Sequence, residues 1–488
     1  MNTGAVAGGG AVSTIAAIAT PPGAGGIAIV RLSGPQAKAL LSRVFLPLSP
    51  SFENFRPWCL HRGRVLDENG ELLDDVLAVF MPGPRTFTGE DMAEIHCHGG
   101  PFIVQALLET LIRLRAAQAG RGDFSRRAFC NGRLDLSQAE AVAELIAAPS
   151  REALNYSLNR LDGLLGRRVR ALREAVEALR VQMSLAVDFP DEEVDGLSPQ
   201  ALDQAVFRLA ESVRQLLRGK QRAHVMQCGV RIVLAGAVNA GKSSLLNALL
   251  GHQRALVTAI PGTTRDFLEE PCNLEGLPVR LVDTAGLRED PQHGNDLASG
   301  PDAVELLGME RSRQKLAEAE AILLVLDGAA LGAEGLAAEV CPETAAAEVL
   351  ATAGDTPLVV VLNKSDIAPA LSDLSSPPRW AAGRPCVAVS AHSGENVDAL
   401  ARLVRERVLA AGGNPPADGL APNARQALAL EGALEELTAL QEDIRTGQPY
   451  DCCTVRLDMA AARLGEVTGL DSPAEVLERV FAQFCIGK

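Results

Sequence analysis

Aromatic residues make up only 3% of this 488-residue chain, with two Trp and two Tyr. Stacking nucleic-acid bases on aromatic platforms is therefore not its main business. Its cores must be built from Leu, Val, Ile and Ala. Positive charge is also scarce: 46 Lys and Arg face 61 Asp and Glu, for a formal net charge of −15 at pH 7. A protein that coats nucleic acid with its whole surface needs the opposite balance, because it must displace counterions. A local basic patch stays open. No uninterrupted apolar run reaches the ~20 residues of a membrane span, so no span is expected. The start, MNTGAVAGGGAV, has no basic stretch followed by an apolar one, so it does not read as a secretory signal. Ten Cys occur without a CxxC pair. That pattern fits a reducing, cytoplasmic setting and not a disulfide scaffold.

What is present is ordinary for a folded protein: 47% hydrophobic and 22% charged residues. The length predicts about three domains. Gly26 to Leu32 and Val76 to Phe80 read as strands, and Pro101 to Arg115 as a helix, so the first ~130 residues form an α+β domain. From Leu134 the spacing becomes helical. Leu154, Leu158, Leu161 and Leu165 recur, and after a shift the pattern continues as Val169, Leu172, Val176, Leu179 and Met183. Ala201 to Arg222 repeats the pattern, and so do Leu430, Leu434, Leu437, Leu440 and Ile444. Between these stretches, short apolar strands alternate with helices: Val230 to Leu234, Val279 to Val282, Ile322 to Leu326, Leu358 to Leu362 and Cys386 to Val389. Such runs predict a parallel sheet covered on both faces. The reading is a compact α/β unit inserted into a helical domain split in sequence.

The inserted unit carries the chemistry. Gly236-Ala-Val-Asn-Ala-Gly-Lys-Ser243 fits the P-loop pattern GxxxxGK[ST] and follows a strand. Its glycines let backbone N–H groups wrap phosphate oxygens at a helix N-terminus. Lys242 reaches toward the β- and γ-phosphates, and Ser243 toward Mg²⁺. Asp283-Thr-Ala-Gly286 supplies a carboxylate for the Mg²⁺ shell and a Gly amide for the γ-phosphate. Asn363-Lys-Ser-Asp366 supplies an aspartate that can accept two hydrogen bonds from guanine N1–H and its amino group. Ser390-Ala-His392 begins a base-contacting loop, and Thr263-Thr264 lies where a switch threonine belongs. All sit at strand ends, where open α/β sheets bind ligands. Together they predict a GTP-binding domain. The residue after Asp283-Thr-Ala-Gly is Leu287, which cannot orient a water, so another group must. Asn239 either joins carbonyls of the 258–263 loop in caging K⁺, where an arginine finger would otherwise act, or only braces its own loop.

These motifs, with Thr20-Pro-Pro-Gly-Ala-Gly-Gly-Ile, Phe87-Thr-Gly-Glu-Asp, His98-Gly-Gly-Pro, Phe124-Ser-Arg-Arg-Ala-Phe and the closing Cys-Ile-Gly-Lys488, resemble the MnmE (TrmE) family of tRNA modification GTPases over essentially the whole chain. The resemblance implies four segments: an N-terminal α+β folate-binding and dimerising domain at 1–133, a split α-helical domain at 134–228 and 412–488, and an inserted Ras-like P-loop GTPase at 229–411. It implies a homodimer that joins an FAD-dependent partner, MnmG (GidA), in a heterotetramer and meets tRNA through that complex. The joint product is a carboxymethylaminomethyl or aminomethyl group on C5 of the wobble uridine of certain tRNAs. A tetrahydrofolate derivative (5-formyl or 5,10-methylene) gives the carbon.

By the same resemblance, Asn239, Thr258, Ile260 and Thr263 are K⁺ ligands, and Ser243 and Thr264 are Mg²⁺ ligands. GTP contacts fall on Asn239, Ala240, Gly241, Lys242, Ser243, Ser244, the 258–264 segment including Ala259, Pro261 and Gly262, Asp283, Thr284, Ala285, Gly286, Asn363, Lys364, Asp366, Ser390, Ala391 and His392. Glu305 orients the hydrolytic water, with Lys242 beside the phosphates. Arg31, Glu94, Arg133 and Lys488 contact the folate, and Cys485 is a candidate participant in the modification. Arg133 stands where Lys is common, which keeps the charge but changes the hydrogen-bond geometry. Glu289 to Pro301 reads as an insertion before Glu305. The −15 balance implies that a more basic partner supplies much of the tRNA contact. A ribosome-assembly or RNA-chaperone switch is a second reading, but such proteins usually carry a basic RNA-binding appendage, and no GXXG-centred KH pattern is seen. A third reading makes the N-terminal domain a folate enzyme with a regulatory GTPase domain.

Overall fold

A computed structural model describes residues 13–188, 198–252, 269–283, 314–368, 371, 377–381, 383–411, 413 and 419–488. The chain divides into two compact units. The first comprises residues 1–143, 160–203 and 439–488, and the second comprises 144–159 and 204–438.

The first unit contains β1 (Ile15–Ile18), β2 (Gly25–Ser33), α1 (Ala37–Val44), β3 (Phe45–Pro47), β4 (His61–Leu66), β5 (Leu72–Met81), β6 (Met92–Gly99), α2 (Pro101–Arg113), β7 (Ala117–Gln118) and α3 (Asp123–Cys130). The strands form one sheet in the order β3-β4-β5-β6-β2-β1-β7. Alternation decides its faces. Ala28, Val30 and Leu32 of β2 and Ala93, Ile95 and Cys97 of β6 point into the core with Leu40 and Leu41 of α1 and Leu107 and Leu111 of α2. Arg31 and Glu94 therefore point the other way, and the antiparallel register sets them directly opposite each other. Pro101 begins α2, where its missing N–H costs nothing.

Helices α4 (Leu136–Ala147) and α5 (Arg151–Leu161) come next, then α6 (Leu164–Asp188). The leucine stripe predicted from Leu154 does not run straight into α6. Gly163 adopts φ +75° and breaks the helix. Within α5 the buried positions are Ala153, Tyr156, Ser157 and Arg160, while Leu158 is 41% exposed. The leucines lie beside the buried face, not on it. Beyond the break the pattern holds: Leu165, Val169, Val176, Leu179 and Met183 are buried.

The second unit includes α7 (Pro199–Leu217) from Gln204 onward, α8 (Lys220–Cys228), β8 (Val230–Ala235), α9 (Lys242–His252), β9 (Glu269–Leu274), β10 (Leu277–Asp283), β11 (Ala321–Asp327), α10 (Gly328–Ala337), α11 (Thr344–Thr352), β12 (Leu358–Asn363), β13 (Cys386–Ala388) and α12 (Val397–Ala411). Gly219 interrupts the predicted helix 201–222 and separates α7 from α8. The sheet order is β13-β12-β11-β8-β10-β9. Five strands are parallel, as predicted. The sixth, β9, is antiparallel to β10 and was missed, because Glu269-Glu-Pro-Cys-Asn-Leu274 has neither a long apolar run nor clean alternation. One face packs Ile232, Leu234, Leu323 and Val361 against Leu245 and Leu249 of α9 and Leu400 and Val404 of α12. The other packs Ile322, Leu324, Val360 and Leu362 against Ala346 and Val349 of α11.

The C-terminal helices are α13 (Ala424–Arg445), α14 (Tyr450–Thr468) and α15 (Ala474–Phe481). Helix α14 packs along α6, burying Cys453, Leu457, Ala460 and Leu464. Gly469, with φ +87°, ends it in a left-handed cap.

The β9–β10 hairpin turns at Glu275 (φ +52°) and Gly276 (φ +88°). Two left-handed residues are what a tight two-residue hairpin demands. Glu275 is the costly one, because only Gly and Asn adopt this conformation readily. Glu275→Asn should raise stability by about 1 kcal/mol, read as a higher melting temperature with unchanged nucleotide binding.

Candidate functional site

The described parts of the nucleotide motifs converge at the C-terminal ends of β8, β10, β12 and β13. Gly236 leaves β8 with φ +141°, and a Cβ there would collide with the Val325 carbonyl. Asn239 (φ +68°) and Gly241 (φ +89°) are also left-handed, so successive backbone amides curve into a concave, anion-binding turn. A Cβ on Gly241 would strike the Asn363 amide nitrogen. The Lys242 ammonium donates to the carbonyls of Gly236 (2.9 Å) and Ala237 (2.8 Å), inside the loop it serves. Ser243 Oγ donates to Asp283 Oδ2 at 2.7 Å. A hydroxyl and a carboxylate side by side are hard oxygen donors suited to Mg²⁺.

Asn363 ties this loop to the base-recognition loops. Its Nδ2 donates to the Ala240 carbonyl at 2.9 Å, and its Oδ1 accepts from the Ala391 amide at 3.1 Å. Asn363 is 2% exposed, so neither bond is traded with water. Lys364 follows in a left-handed conformation, with its ammonium 2.6 Å from Asp327 Oδ2. Asp366 lies in the next turn and is exposed. Ser390 Oγ accepts from Ser393 N at 3.1 Å, and the Ser390 carbonyl accepts from Gly394 N at 2.9 Å, closing the loop that holds Ala391 and His392. Ser244 and His392 are exposed at this end of the sheet, and Ala391 packs against the adjoining hydrophobic cluster. Thr258, Ala259, Ile260, Pro261, Gly262, Thr263, Thr264, Thr284, Ala285, Gly286, Leu287 and Glu305 lie outside the described residues, as does the 289–301 insertion.

In the first unit, three of the four predicted folate residues come together. Arg31 places both Nε and Nη2 2.8 Å from Glu94 Oε1. Its Nη1 donates to the Gly487 carbonyl at 3.1 Å. The tail that brings Lys488 here is fixed by a bridge between Ile486 and Arg121 and by a hydrogen bond from Phe124 N to the Lys488 carbonyl at 3.3 Å. Gly487 has φ +89°, and any Cβ would clash with the Ile18 carbonyl. Burial pushes the Lys488 amine down, and the Arg31 charge pushes it the same way, against Glu94 and Cys485. Cys485 is a free, exposed thiol. Arg133 makes its contact elsewhere, donating from Nε to the Thr86 carbonyl at 3.2 Å.

Sequence reasoning missed several supports. His96 Nε2 lies 3.4 Å from Glu94 Oε2. That contact, with the Arg31 charge, holds the Glu94 carboxyl below the usual glutamate range against the opposing effect of burial. The signal was available, since His96 shares the Glu94 face by strand parity. Glu90 accepts from Ser33 Oγ (2.7 Å) and Arg127 Nη1 (2.8 Å), joining the motifs at Phe87 and Phe124 into one brace. No local pattern announces that pair.

Residues 14–133 match the family model described as "GTP-binding protein TrmE N-terminus". Residues 136–485 match the one described as "MnmE helical domain". The curated protein "tRNA modification GTPase MnmE" of Nitratidesulfovibrio vulgaris (strain DP4) is 51% identical over 477 residues, covering 97% of this chain and 99% of that protein. The chain belongs to the MnmE family. Its members from Lawsonia intracellularis (45% identical over 484 residues) and Chloroflexus aurantiacus (41% over 482) also cover 97% of this chain and 99% of their own length. For this MnmE-family chain the nucleotide motifs and the paired Arg31 and Glu94 are therefore parts of one protein type, read along its full span.

The Glu94 shift has a testable sign. A carboxyl held below its usual range, near 4.5, contributes stability that is present above that range and lost as pH falls through the lowered value. Glu94→Gln should cost about 1 kcal/mol at neutral pH. The gap to the unaltered protein should close as pH falls from the usual glutamate range through the lowered folded-state value, as measured by denaturant titration across pH. A gap independent of pH would remove the ion pair from the account.

Proposed function

We propose that this chain hydrolyses GTP to GDP and phosphate and couples that cycle to tRNA wobble-uridine modification. The observation that carries the reading is Asn363, whose amide bonds the P-loop on one side and the Ser390–His392 loop on the other. That arrangement suits a nucleotide with phosphates in the first loop and a guanine against Asp366. Ser243 and Asp283 would hold Mg²⁺, with Thr264 as a further ligand. The ion would neutralise charge on the β- and γ-phosphates. Lys242 would leave its two loop carbonyls for the phosphates, exchanging neutral acceptors for charged ones.

Family membership supports the remaining assignments as part of the same proposal. Glu305 orients the attacking water, which Leu287 cannot do. Asn239, Thr258, Ile260 and Thr263 cage K⁺, which supplies the positive charge that a transition state spread over phosphate oxygens requires. Arg31, Glu94, Arg133 and Lys488 receive a tetrahydrofolate derivative. Glu94 suits a pterin's amino and ring N–H groups, and the cations suit the folate's carboxylates and carbonyls. Cys485 stands beside that site as a candidate in the one-carbon chemistry. The chain acts as a cytoplasmic homodimer, with an FAD-dependent MnmG partner, on C5 of the wobble uridine. No helix among the described residues is long and apolar enough to cross a membrane.

Hydrolysis should be faster in K⁺ than in Na⁺ at matched ionic strength. Glu305→Ala should lower kcat by about 10²-fold or more while leaving nucleotide affinity near normal. Equal rates in both salts would remove the K⁺ cage, and normal turnover in the variant would reassign the water-orienting group. Mass spectrometry of tRNA from a deletion strain tests the pathway: an unchanged wobble uridine would overturn it.

A further inference from the structure

Asp327 belongs to none of the nucleotide motifs, yet it touches one of them. It ends β11, and the parallel register sets it beside Asn363, the first residue of Asn363-Lys-Ser-Asp366. Its two oxygens do different work. Oδ1 accepts from the amides of Ala329 (3.0 Å) and Ala330 (3.2 Å) and caps α10. Oδ2 takes the Lys364 ammonium at 2.6 Å. Lys364 is held there in a left-handed backbone conformation (φ +65°) that a lysine does not favour. The pair is only partly exposed, at 33% and 21% of the side chains, so it is screened less than a surface pair.

We propose that Asp327 is a positioning residue for the nucleotide base: by anchoring the Lys364 ammonium it fixes the lysine stem as an apolar wall of the purine slot beside Asp366. A lysine whose charge is tied down presents its methylenes to a neighbour. Without the anchor the stem samples many rotamers, and the slot must order it on binding. The same pairing leaves Lys242 as the lysine available to phosphate. Burial pushes the Asp327 carboxyl up, but the Lys364 and Ala330 hydrogen bonds and the lysine charge outweigh it and the net shift is downward. Glu343, at the start of α11, acts on Asp327 as a like charge and on Lys242 as an opposite one.

The proposal rests on the GTP-binding reading, and calorimetric titration of the full chain with GDP separates the two. If the unaltered protein does not bind GDP, the nucleotide reading itself fails. Asp327→Asn is the decisive variant, because Asn caps a helix as well as Asp does while losing the ion pair. It should weaken GDP binding about five- to tenfold and raise KM for GTP by a similar factor with kcat little changed. In a Lys364→Met background, which keeps the stem and removes the ammonium, Asp327→Asn should have no further effect. Unchanged GDP affinity in Asp327→Asn, or the same loss in both backgrounds, would overturn the proposal. A matched melting temperature shows that α10 has kept its cap.

Discussion

The amide of Asn363 is the constraint on which the nucleotide site depends. Three loops leave the ends of β8, β12 and β13, and each is an irregular segment with backbone groups to satisfy. One buried side chain serves two of them at once, donating to the P-loop carbonyl of Ala240 and accepting from Ala391. Gly241 is part of the same fit, since any side chain there would displace that amide. Asp327 extends the logic to the next strand, with one oxygen on a helix cap and the other on Lys364. The phosphate loop and the base loops are therefore set against each other before a nucleotide arrives.

The first unit shows a different economy. Its candidate site is assembled from residues far apart in sequence, Arg31 and Glu94 across two strands and Gly487 at the end of the tail. Alternation on β2 and β6 sends both charged residues to the face opposite the helices, and the antiparallel register makes them partners. Elsewhere in this unit the arginines of α6 are engaged with carboxylates: Arg170 with Asp135, Arg173 with Asp471, Arg180 with Asp458. Three of the five arginines of α6 are thus answered by carboxylates of the same unit.

Much of the second unit was legible, because strands buried on both faces announce themselves as apolar runs, and five of the six sheet strands did so. The missed β9 opens with two glutamates and a proline, as an edge strand can. The helical stripe of α5 misled, because Gly163 resets the phase and the buried face runs through Tyr156 and Arg160, not Leu158. The P-loop, Asp283 and Asn363 were readable from local pattern alone. Arg31 and Glu94 were not. Their 63-residue separation is bridged only by sheet register, and without the family they would pass for surface charges. Asp327 was invisible as a motif for the same reason, since it acts on Lys364 at the end of the neighbouring strand, whereas His96 lies two residues from Glu94 on one strand and could have been found by parity.

Titration of the full chain with GDP, set beside Asn363→Ala, addresses the central claim most directly. Removing both amide bonds should lower GDP affinity by at least tenfold while the protein remains folded by circular dichroism. A folded Asn363→Ala variant with unaltered GDP affinity would contradict the account, because the two loops would then be held by something other than this side chain.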